Sequence, residues 1–398
     1  MALSQERSNQ PRRVYFDHAA TSWPKLPAAV DAAFQFLTDC GATTGRGSYR
    51  SAQVAHQWLN TARLAVAKLV NAPSSDCVAF SSSGTHALNA ALCGWLQPGD
   101  HVVTTAIEHN SLLRPLSALS IFADRPEDAS AAGRKITFSI AACDKVGRVS
   151  PEAVAGLMRP NTRLVAVGHA SNVTGTVQPL DAISKIARQH EAQFLVDASQ
   201  TLGYLPIDFQ ALGIDLLAAA GHKGLRALPG TGVLVVAPEM QNRLQPLLTG
   251  GTGIASESID AVAPWPLNVE VGNLNLPAIV SLAIAAQQAD TSQTWRPLLK
   301  LLRDGLSGLP GVRLFGADSE ACIPVVSFTV DGWDNHDLAN VLDANFGIET
   351  RAGLHCAAKI HENIGSDSTC GTIRMSLGHE STSDEVELAL AAMREILG

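Results

Sequence analysis

The sequence predicts an α/β fold in which a large domain with a mostly parallel central sheet is joined to a smaller α+β domain. Short apolar runs alternate with helix-like stretches between residues 76 and 237, and the pattern changes from about residue 280 onward. Hydrophobic residues make up 46% of the chain and charged residues 17%, so there is material for a large core. A chain of 398 residues is long enough for two or three domains.

Continuous apolar runs mark the strands of the large domain. Strands of a parallel sheet have this character because crossover helices cover both faces of the sheet. The runs are CVAF (77–80), HVVTTAI (101–107), KITFSI (135–140), RLVAVGHA (163–170), QFLVDAS (193–199), DLLAAA (215–220) and GVLVVA (232–237).

Helix signals lie before and between these runs. Apolar residues at three-to-four spacing predict an amphipathic helix over about 52–70. Ser150 and Pro151 are an N-cap and a first helical residue for the stretch PEAVAGLMR. The helices between the runs are the crossovers that the parallel sheet requires.

The pattern after residue 280 predicts the smaller domain. A long Ala/Leu helix is followed by strands around VVSFTV (325–330), a loop with Gly, His and Cys residues at about 345–372, and a last helix from Ser383. We expect a large domain at 20–280 and a small domain made of 1–19 and 281–398.

Charge and cysteine content limit the partners and the compartment. The formal charge is −8 and there is no Lys/Arg-rich run, so nucleic acid is not expected as a partner. The start, MALSQERSNQPRR, lacks the apolar core of a signal peptide, and no apolar run approaches the roughly 18–20 residues that span a bilayer. Seven cysteines without a C-x-x-C pair argue against a disulfide framework. We therefore expect a cytoplasmic protein with no membrane partner.

Polar residues follow several of the predicted strands. They lie in SSSGTH (81–86), EHN (108–110), SN (171–172), DASQ (197–200) and GHKG (221–224). Ligands of an open parallel sheet bind beyond the carboxyl ends of its strands, so these residues are expected to meet at one site.

Three of these segments suggest a chemistry. SSSGTH opens a helix and can hold a phosphate at the helix N-terminus, although a plain capped turn gives the same pattern. Asp197 ends an apolar strand, where a carboxylate needs a cationic partner or serves as a loop cap. Lys223 lies in an apolar, glycine-flanked stretch; a buried lysine is a nucleophile for a carbonyl, whereas an exposed one is an ordinary surface residue. An amine, a carboxylate and a phosphate site together predict pyridoxal 5′-phosphate as the cofactor.

The chain resembles a known family. The motifs that carry the resemblance are FDHAATSWPKLPAAV (16–30), SSSGTHALN (81–89), EHNS (108–111), SNVTGTVQP (171–179), VDASQTLGYLPID (196–208), GHKG (221–224), GGTG (250–253) and RAGLHCA (351–357). Their order and content are similar to the cysteine desulfurase and selenocysteine lyase branch of the class V aminotransferases. The resemblance implies the pyridoxal-phosphate-dependent transferase fold of type I, and a homodimer.

The resemblance also implies roles for single residues. Lys223 would bind the cofactor aldehyde, Asp197 would hold the proton of the ring nitrogen, and His109 would stack on the ring. The remaining cofactor-binding positions are Gly84, Thr85, His86, Asn172, Gln200, His222, Thr252 and Asn273. Arg374 would take the substrate carboxylate, a bidentate task suited to a guanidinium, with Asn172 and Arg351 as further substrate-binding residues.

Cys356 determines the implied reaction. In RAGLHCA the thiol lies beside His355 and near Arg351, which favours the thiolate. The implied activity is conversion of L-cysteine to L-alanine with transfer of sulfur to Cys356 as a persulfide, which a thiol or an acceptor protein then discharges. Selenocysteine is an alternative substrate. A metal site of His355, Cys356, His361 and Cys370 has the right atoms, but its spacing matches no common zinc pattern.

Other hypotheses about the function stay open at this point. The chain departs from the family pattern at Ala220 and Asn273, where hydroxyl side chains usually help to bind phosphate, and at Glu380–Ser381. An aminotransferase, racemase or C–S lyase would keep the cofactor and leave Cys356 incidental. A non-catalytic scaffold or metal-binding module on the same fold would form no bond between Lys223 and an aldehyde.

Overall fold

The computed structural model describes residues 13–44, 47–121, 135–254, 257–259, 262–316, 321–366 and 368–398. The strands are β1 Val14–Tyr15, β2 Val78–Ser81, β3 His101–Thr105, β4 Thr137–Ala141, β5 Thr162–Gly168, β6 Gln193–Asp197, β7 Leu216–Ala220, β8 Gly232–Val236, β9 Val312–Phe315, β10 Val325–Val330, β11 Ile348–Glu349, β12 Arg351–Gly353 and β13 Thr372–Ser376. The helices are α1 Pro27–Asp39, α2 Arg50–Leu69, α3 Gly84–Trp95, α4 Asn110–Ile121, α5 Pro151–Ala155, α6 Leu180–Gln189, α7 Pro238–Gln241, α8 Leu276–Gln287, α9 Arg296–Ser307, α10 Asn335–Phe346, α11 Ala358–Ile364 and α12 Ser383–Leu397.

A seven-stranded sheet forms the centre of the large part of the molecule. Its strand order is β2-β8-β7-β6-β5-β3-β4, and β8 alone runs antiparallel to its neighbours. Val165 of β5 packs into the core on one face of the sheet, and its neighbour Leu164 packs into the core on the other. Both faces are apolar, which explains why the strands read as continuous apolar runs.

A four-stranded antiparallel sheet, in the order β12-β13-β10-β9, forms the smaller part. It has its own apolar core, in which α9 and α12 pack together. The last helix begins at Ser383, as the sequence predicts, because Thr382 and Glu385 form a capping box there. β1 pairs in parallel with β11, so the start of the described chain joins the smaller part.

Residue 280, the expected domain boundary, lies inside α8. Residues on both sides of it, such as Ile279 and Ala283, belong to the core of the large sheet. The division into two domains is therefore kept as a proposal, with its boundary at the connection that follows α8. The expected mostly parallel sheet and the smaller α+β unit are both present.

Candidate active site

A cavity of about 240 Å³ opens at the carboxyl ends of the central strands. Asp197 ends β6, Lys223 follows β7 by three residues, and Arg374 lies on β13 of the smaller sheet. The predicted site residues that line the cavity are Gly84, Thr85, His109, Asn172, Asp197, Gln200, His222, Lys223, Arg351, Cys356 and Arg374. Residues that are far apart in sequence meet here because parallel strands end at one edge of the sheet.

The amine of Lys223 lies in the cavity wall. Desolvation by the surrounding protein, against the opposing charge of Asp197 and together with the guanidinium groups of Arg374 and Arg351, lowers its pKa from 10.5 to about 8. A neutral amine is the form that attacks a carbonyl, so this environment suits covalent binding of an aldehyde.

Asp197 presents a carboxylate to the same cavity. Its Oδ1 accepts a hydrogen bond of 2.9 Å from the backbone nitrogen of Ser199, and the side chain is nearly buried. The amide of Gln200 donates to the carbonyl oxygen of Ala19 at 3.1 Å, which fixes the side chain at the cavity wall. Asp197 is positioned to pair with a cationic group of a bound ligand.

The N-terminus of α3 faces the cavity. Ser83 caps the helix, since its hydroxyl accepts from the backbone nitrogen of His86 at 3.1 Å. A methyl group on Gly84 would lie 2.9 Å from the Ser199 Oγ and 3.2 Å from the Ala220 nitrogen. Glycine therefore leaves a space bounded by a hydroxyl and a helix N-terminus, which is a suitable place for an anion.

Two histidines line the cavity in their neutral form. Desolvation lowers the pKa values of both His109 and His222 to about 4. The Nδ1 of His109 accepts a hydrogen bond of 3.0 Å from the backbone nitrogen of Ser111, which places its proton on Nε2. The Nδ1 of His222 lies 2.9 Å from the Thr21 hydroxyl.

Arg374 is almost fully buried and only partly satisfied. It donates from Nη2 to Asp17 Oδ1 at 2.6 Å and from Nη1 to the carbonyl oxygen of Asn172 at 3.1 Å. Its Nε is buried without a hydrogen-bond partner in the described part of the chain. Arg351 lies opposite Arg374 in the β12–β13 pairing. The pair provides positive charge for an anionic ligand group.

Two hydrogen bonds attach the loop with Cys356 to the large part of the molecule, one from the loop after β5 and one from the start of α4. The Asn172 side chain donates to the carbonyl oxygen of His355 at 2.6 Å, and the backbone nitrogen of Asn110 donates to that of Cys356 at 2.7 Å. His355 and Cys356 both have positive φ, at 50° and 58°. This backbone conformation is uncommon for such residues and holds the exposed thiol at the cavity rim. The Arg351 Nη2 lies 3.9 Å from its Sγ.

Three predicted residues do not line the cavity. His86 contacts Ser82 through its Nδ1, and Asn273 is exposed and accepts from the Thr43 hydroxyl at 2.7 Å. Thr252 is half-buried and follows Gly251, whose carbonyl oxygen accepts from the backbone nitrogen of Gly272, the residue before Asn273. Their cofactor-binding roles stay predictions.

Two further features bear on the expected partners. The described residues contain no group of three or more His, Cys, Asp or Glu side chains arranged to hold a metal. No helix in the part of the chain that the structure covers is both long and apolar enough to cross a bilayer.

Known proteins share this sequence and fold. The family model for class V aminotransferases matches residues 14–389. A probable cysteine desulfurase of Methanothermobacter thermautotrophicus is 32% identical over 97% of this chain and 95% of its own length. The chain belongs to the cysteine desulfurase branch of the class V aminotransferases.

Solved structures and a further relative agree with this assignment. A probable cysteine desulfurase of Xylella fastidiosa is 33% identical over 97% of this chain and 92% of its own length. The apo structure of the cysteine desulfurase of Thermococcus onnurineus has a TM-score of 0.86 at 29% identity and covers 97% of this chain and 94% of that one. The Escherichia coli cysteine desulfurase solved as an S-sulfonic acid has a TM-score of 0.83 at 27% identity and covers 97% and 96%. The expected type I fold and family are confirmed.

Sequence reasoning gave no role to three residues at the site. Glu108, Ser199 and Asp17 were each inside a motif that carries the resemblance, and the structure places the first two in the cavity wall and the third on Arg374. Their positions within two residues of His109, Asp197 and the β1 strand were the available signal.

Proposed function

We propose that the chain converts L-cysteine to L-alanine and carries the sulfur on Cys356 as a persulfide, with pyridoxal 5′-phosphate as its cofactor. One observation carries this proposal: the Lys223 amine, the Asp197 carboxylate and the Cys356 thiol line a single cavity. Membership of the cysteine desulfurase family supports it.

The residues of the cavity fit the cofactor. Lys223 would hold its aldehyde, Asp197 its ring nitrogen, and the space at Gly84 its phosphate, with Thr85 and His222 beside that space. The buried Oδ1 of Asn172 has no partner among the described residues and can accept a hydrogen bond from a ligand hydroxyl. When bound, the cofactor supplies an electron-accepting ring that stabilises negative charge on the substrate Cα.

Lys223 and Arg374 have different roles toward the substrate. The Lys223 amine, with a pKa of about 8, is suited to take the Cα proton and to return a proton later. The unpartnered Nε of Arg374 is the donor that a substrate carboxylate would satisfy. Arg351 is available for the same carboxylate or for the Cys356 thiolate.

Cys356 receives the sulfur. Its thiolate attacks the substrate sulfur, an S–S bond forms, and the bond between that sulfur and the substrate Cβ breaks with its electron pair staying on carbon. A proton then completes alanine, and a second thiol discharges the persulfide. The Arg351 Nη2 lies 3.9 Å from this Sγ.

Further proposals concern the partners of the chain. A homodimer is supported by the exposed apolar side chains of Val30, Phe34 and Leu37, which share one face of α1. A thiol-bearing acceptor protein would reach Cys356 at the surface. A cytoplasmic location is supported by the seven cysteines, none of which forms a disulfide in the described part of the chain, since disulfides are rare in that compartment.

The proposal is tested with L-cysteine, pyridoxal phosphate and a reductant, by measuring alanine and sulfide together. We expect equal amounts of both from the wild type, none above background from Lys223→Ala, and wild-type amounts from Lys68→Ala, an exposed lysine on α2. Keto acid in place of alanine would indicate an aminotransferase. Absence of visible cofactor absorbance would indicate a non-catalytic scaffold. The same assay with selenocysteine compares the two substrates.

A further inference from the structure

Glu108 is a buried carboxyl group at the wall of the cavity. It follows β3 and precedes His109, and its side chain is 1% exposed. Neither the family resemblance nor the proposed mechanism assigns it a task. A buried carboxyl group without a cation is costly when ionised, so its protonation state needs an explanation.

The hydrogen bonds of Glu108 are unequally divided between its oxygens. The Oε1 accepts from the Thr105 hydroxyl at 2.5 Å and from the backbone nitrogen of Gly168 at 2.9 Å. The Oε2 has no hydrogen bond to the described residues and would lie 3.2 Å from a methyl group on Gly168. The Oε1 therefore accepts two hydrogen bonds and the Oε2 accepts none. A neutral carboxylic acid has this pattern when Oε1 is its carbonyl oxygen and Oε2 is its hydroxyl, which donates to another group.

The charged groups around Glu108 do not favour its ionisation. Asp197 ends the adjacent strand, in register with Gly168, and its negative charge opposes a second one. His109 is neutral, and Lys223 pairs electrostatically with Asp197. Burial and the Asp197 charge raise the pKa of Glu108 from 4.5 to about 8, against the two hydrogen bonds to Oε1.

We propose that Glu108 is a positioning residue that is held as a neutral carboxylic acid and presents its Oε2–H to the cavity. Its carbonyl holds Gly168, the neighbour of Asp197, and its neutrality leaves Asp197 as the single carboxylate that faces the ligand at this strand edge. The protonation state does not depend on the proposed function. The positioning of a bound cofactor by Glu108 rests on that function.

Stability measurements on the full chain test the protonation state. The unfolded chain ionises Glu108 near its ordinary pKa of 4.5, while the folded chain keeps the proton up to about pH 8. Folding therefore takes up a proton between these values, and stability falls as pH rises from 4.5 to 8. Glu108→Gln removes this titration. Between pH 5 and 8 we expect the folding constant of the wild type to fall roughly 400-fold relative to this variant.

The control is Glu387→Gln, an exposed glutamate on α12, for which the ratio to wild type should not change with pH. A constant ratio between wild type and Glu108→Gln over pH 5–8 would overturn the proposal. If the glutamine variant does not fold, infrared spectra of the wild type decide. A buried carboxylic-acid carbonyl band that is present at pH 6 and lost above pH 9 supports the neutral acid, and its absence at pH 6 contradicts it.

Retention of pyridoxal phosphate tests the positioning role separately. We expect roughly tenfold weaker retention in Glu108→Ala, with recovery in Glu108→Gln, because the amide keeps an acceptor for Gly168 and a donor for the cavity. Equal retention in the alanine variant would show that Glu108 is a neutral acid without a positioning role. Failure of the wild type to bind the cofactor would count against the proposed function and leave the stability result intact.

Discussion

Asn172 donates a hydrogen bond of 2.6 Å to the carbonyl oxygen of His355, the residue before Cys356. The bond joins the loop after β5, at the wall of the cavity, to the loop that carries the thiol. Both residues are buried, so the contact is shielded from water. Asn172 therefore links the position of the thiol to the wall of the cavity.

Replacement of Asn172 by alanine should loosen the Cys356 loop. Loss of one buried hydrogen bond of about 1 kcal/mol predicts roughly five- to tenfold faster alkylation of Cys356 in the protein without substrate. The measurement is best made in a Cys370→Ala background, because Cys370 is the other exposed cysteine. An unchanged alkylation rate would show that the backbone bond from Asn110 is sufficient to hold the loop.

The lowered pKa of Lys223 predicts a pH dependence of cofactor binding. Only the neutral amine attacks the aldehyde, so the rate of covalent pyridoxal phosphate uptake should rise about tenfold per pH unit below pH 8 and level off above it. Stopped-flow absorbance measures this rate. Pyridoxamine phosphate, which lacks the aldehyde, is the control and should show no such rise. A rate that is constant from pH 6 to 9 would contradict the assigned role of the amine.

Ser199 is expected to replace the hydroxyl that is absent at Ala220. The Ser199 Oγ and the Ala220 nitrogen border the same space at Gly84. A hydrogen bond to a charged phosphate predicts roughly tenfold weaker retention of pyridoxal phosphate in Ser199→Ala, as measured by equilibrium dialysis. Adding Ala220→Ser to that variant should restore much of the loss. An unchanged affinity in Ser199→Ala would place the phosphate elsewhere.

The strands of the large sheet were predictable from the sequence because burial on both faces gives each of them a continuous run of apolar residues. The predicted run RLVAVGHA overlaps β5, and the two agree to within two residues at each end. The antiparallel direction of β8 was not predictable, since an apolar run has the same appearance in either direction. The pairing of β1 with β11 was also missed, because each strand has only two residues.

Site residues were predictable from the sequence where residue type and strand position indicate their chemistry. They were less predictable where the role depends on the direction in which the side chain points. Lys223 and Asp197 were found from residue type and strand ends. Glu108 was overlooked because the sequence does not show that its carboxyl group turns toward Gly168 on a neighbouring strand. The exposure of Asn273 likewise depends on loop geometry.

A buried ion pair is expected to stabilise the strand that leads to the α3 N-terminus. Glu270 accepts from Arg63 Nη2 at 2.5 Å and from the backbone nitrogen of Phe80 at 2.7 Å. Glu270→Ala leaves the buried Arg63 guanidinium without a counter-charge and the Phe80 backbone N–H without an acceptor, so the free energy of unfolding should fall by about 3–5 kcal/mol in urea titration. Asp181→Ala breaks the exposed pair with Lys185 and should have little effect. A similarly small effect in Glu270→Ala would contradict the structural role of the pair.

The most direct test of the proposed chemistry is the mass of Cys356 after a single turnover with L-cysteine. The account predicts one added sulfur atom on Cys356 in the wild type and in Cys370→Ala, with one alanine formed per sulfur. Cys356→Ala should carry no added sulfur and should release no sulfide above background. Wild-type rates of alanine and sulfide formation by Cys356→Ala would contradict the assignment of Cys356 as the sulfur acceptor.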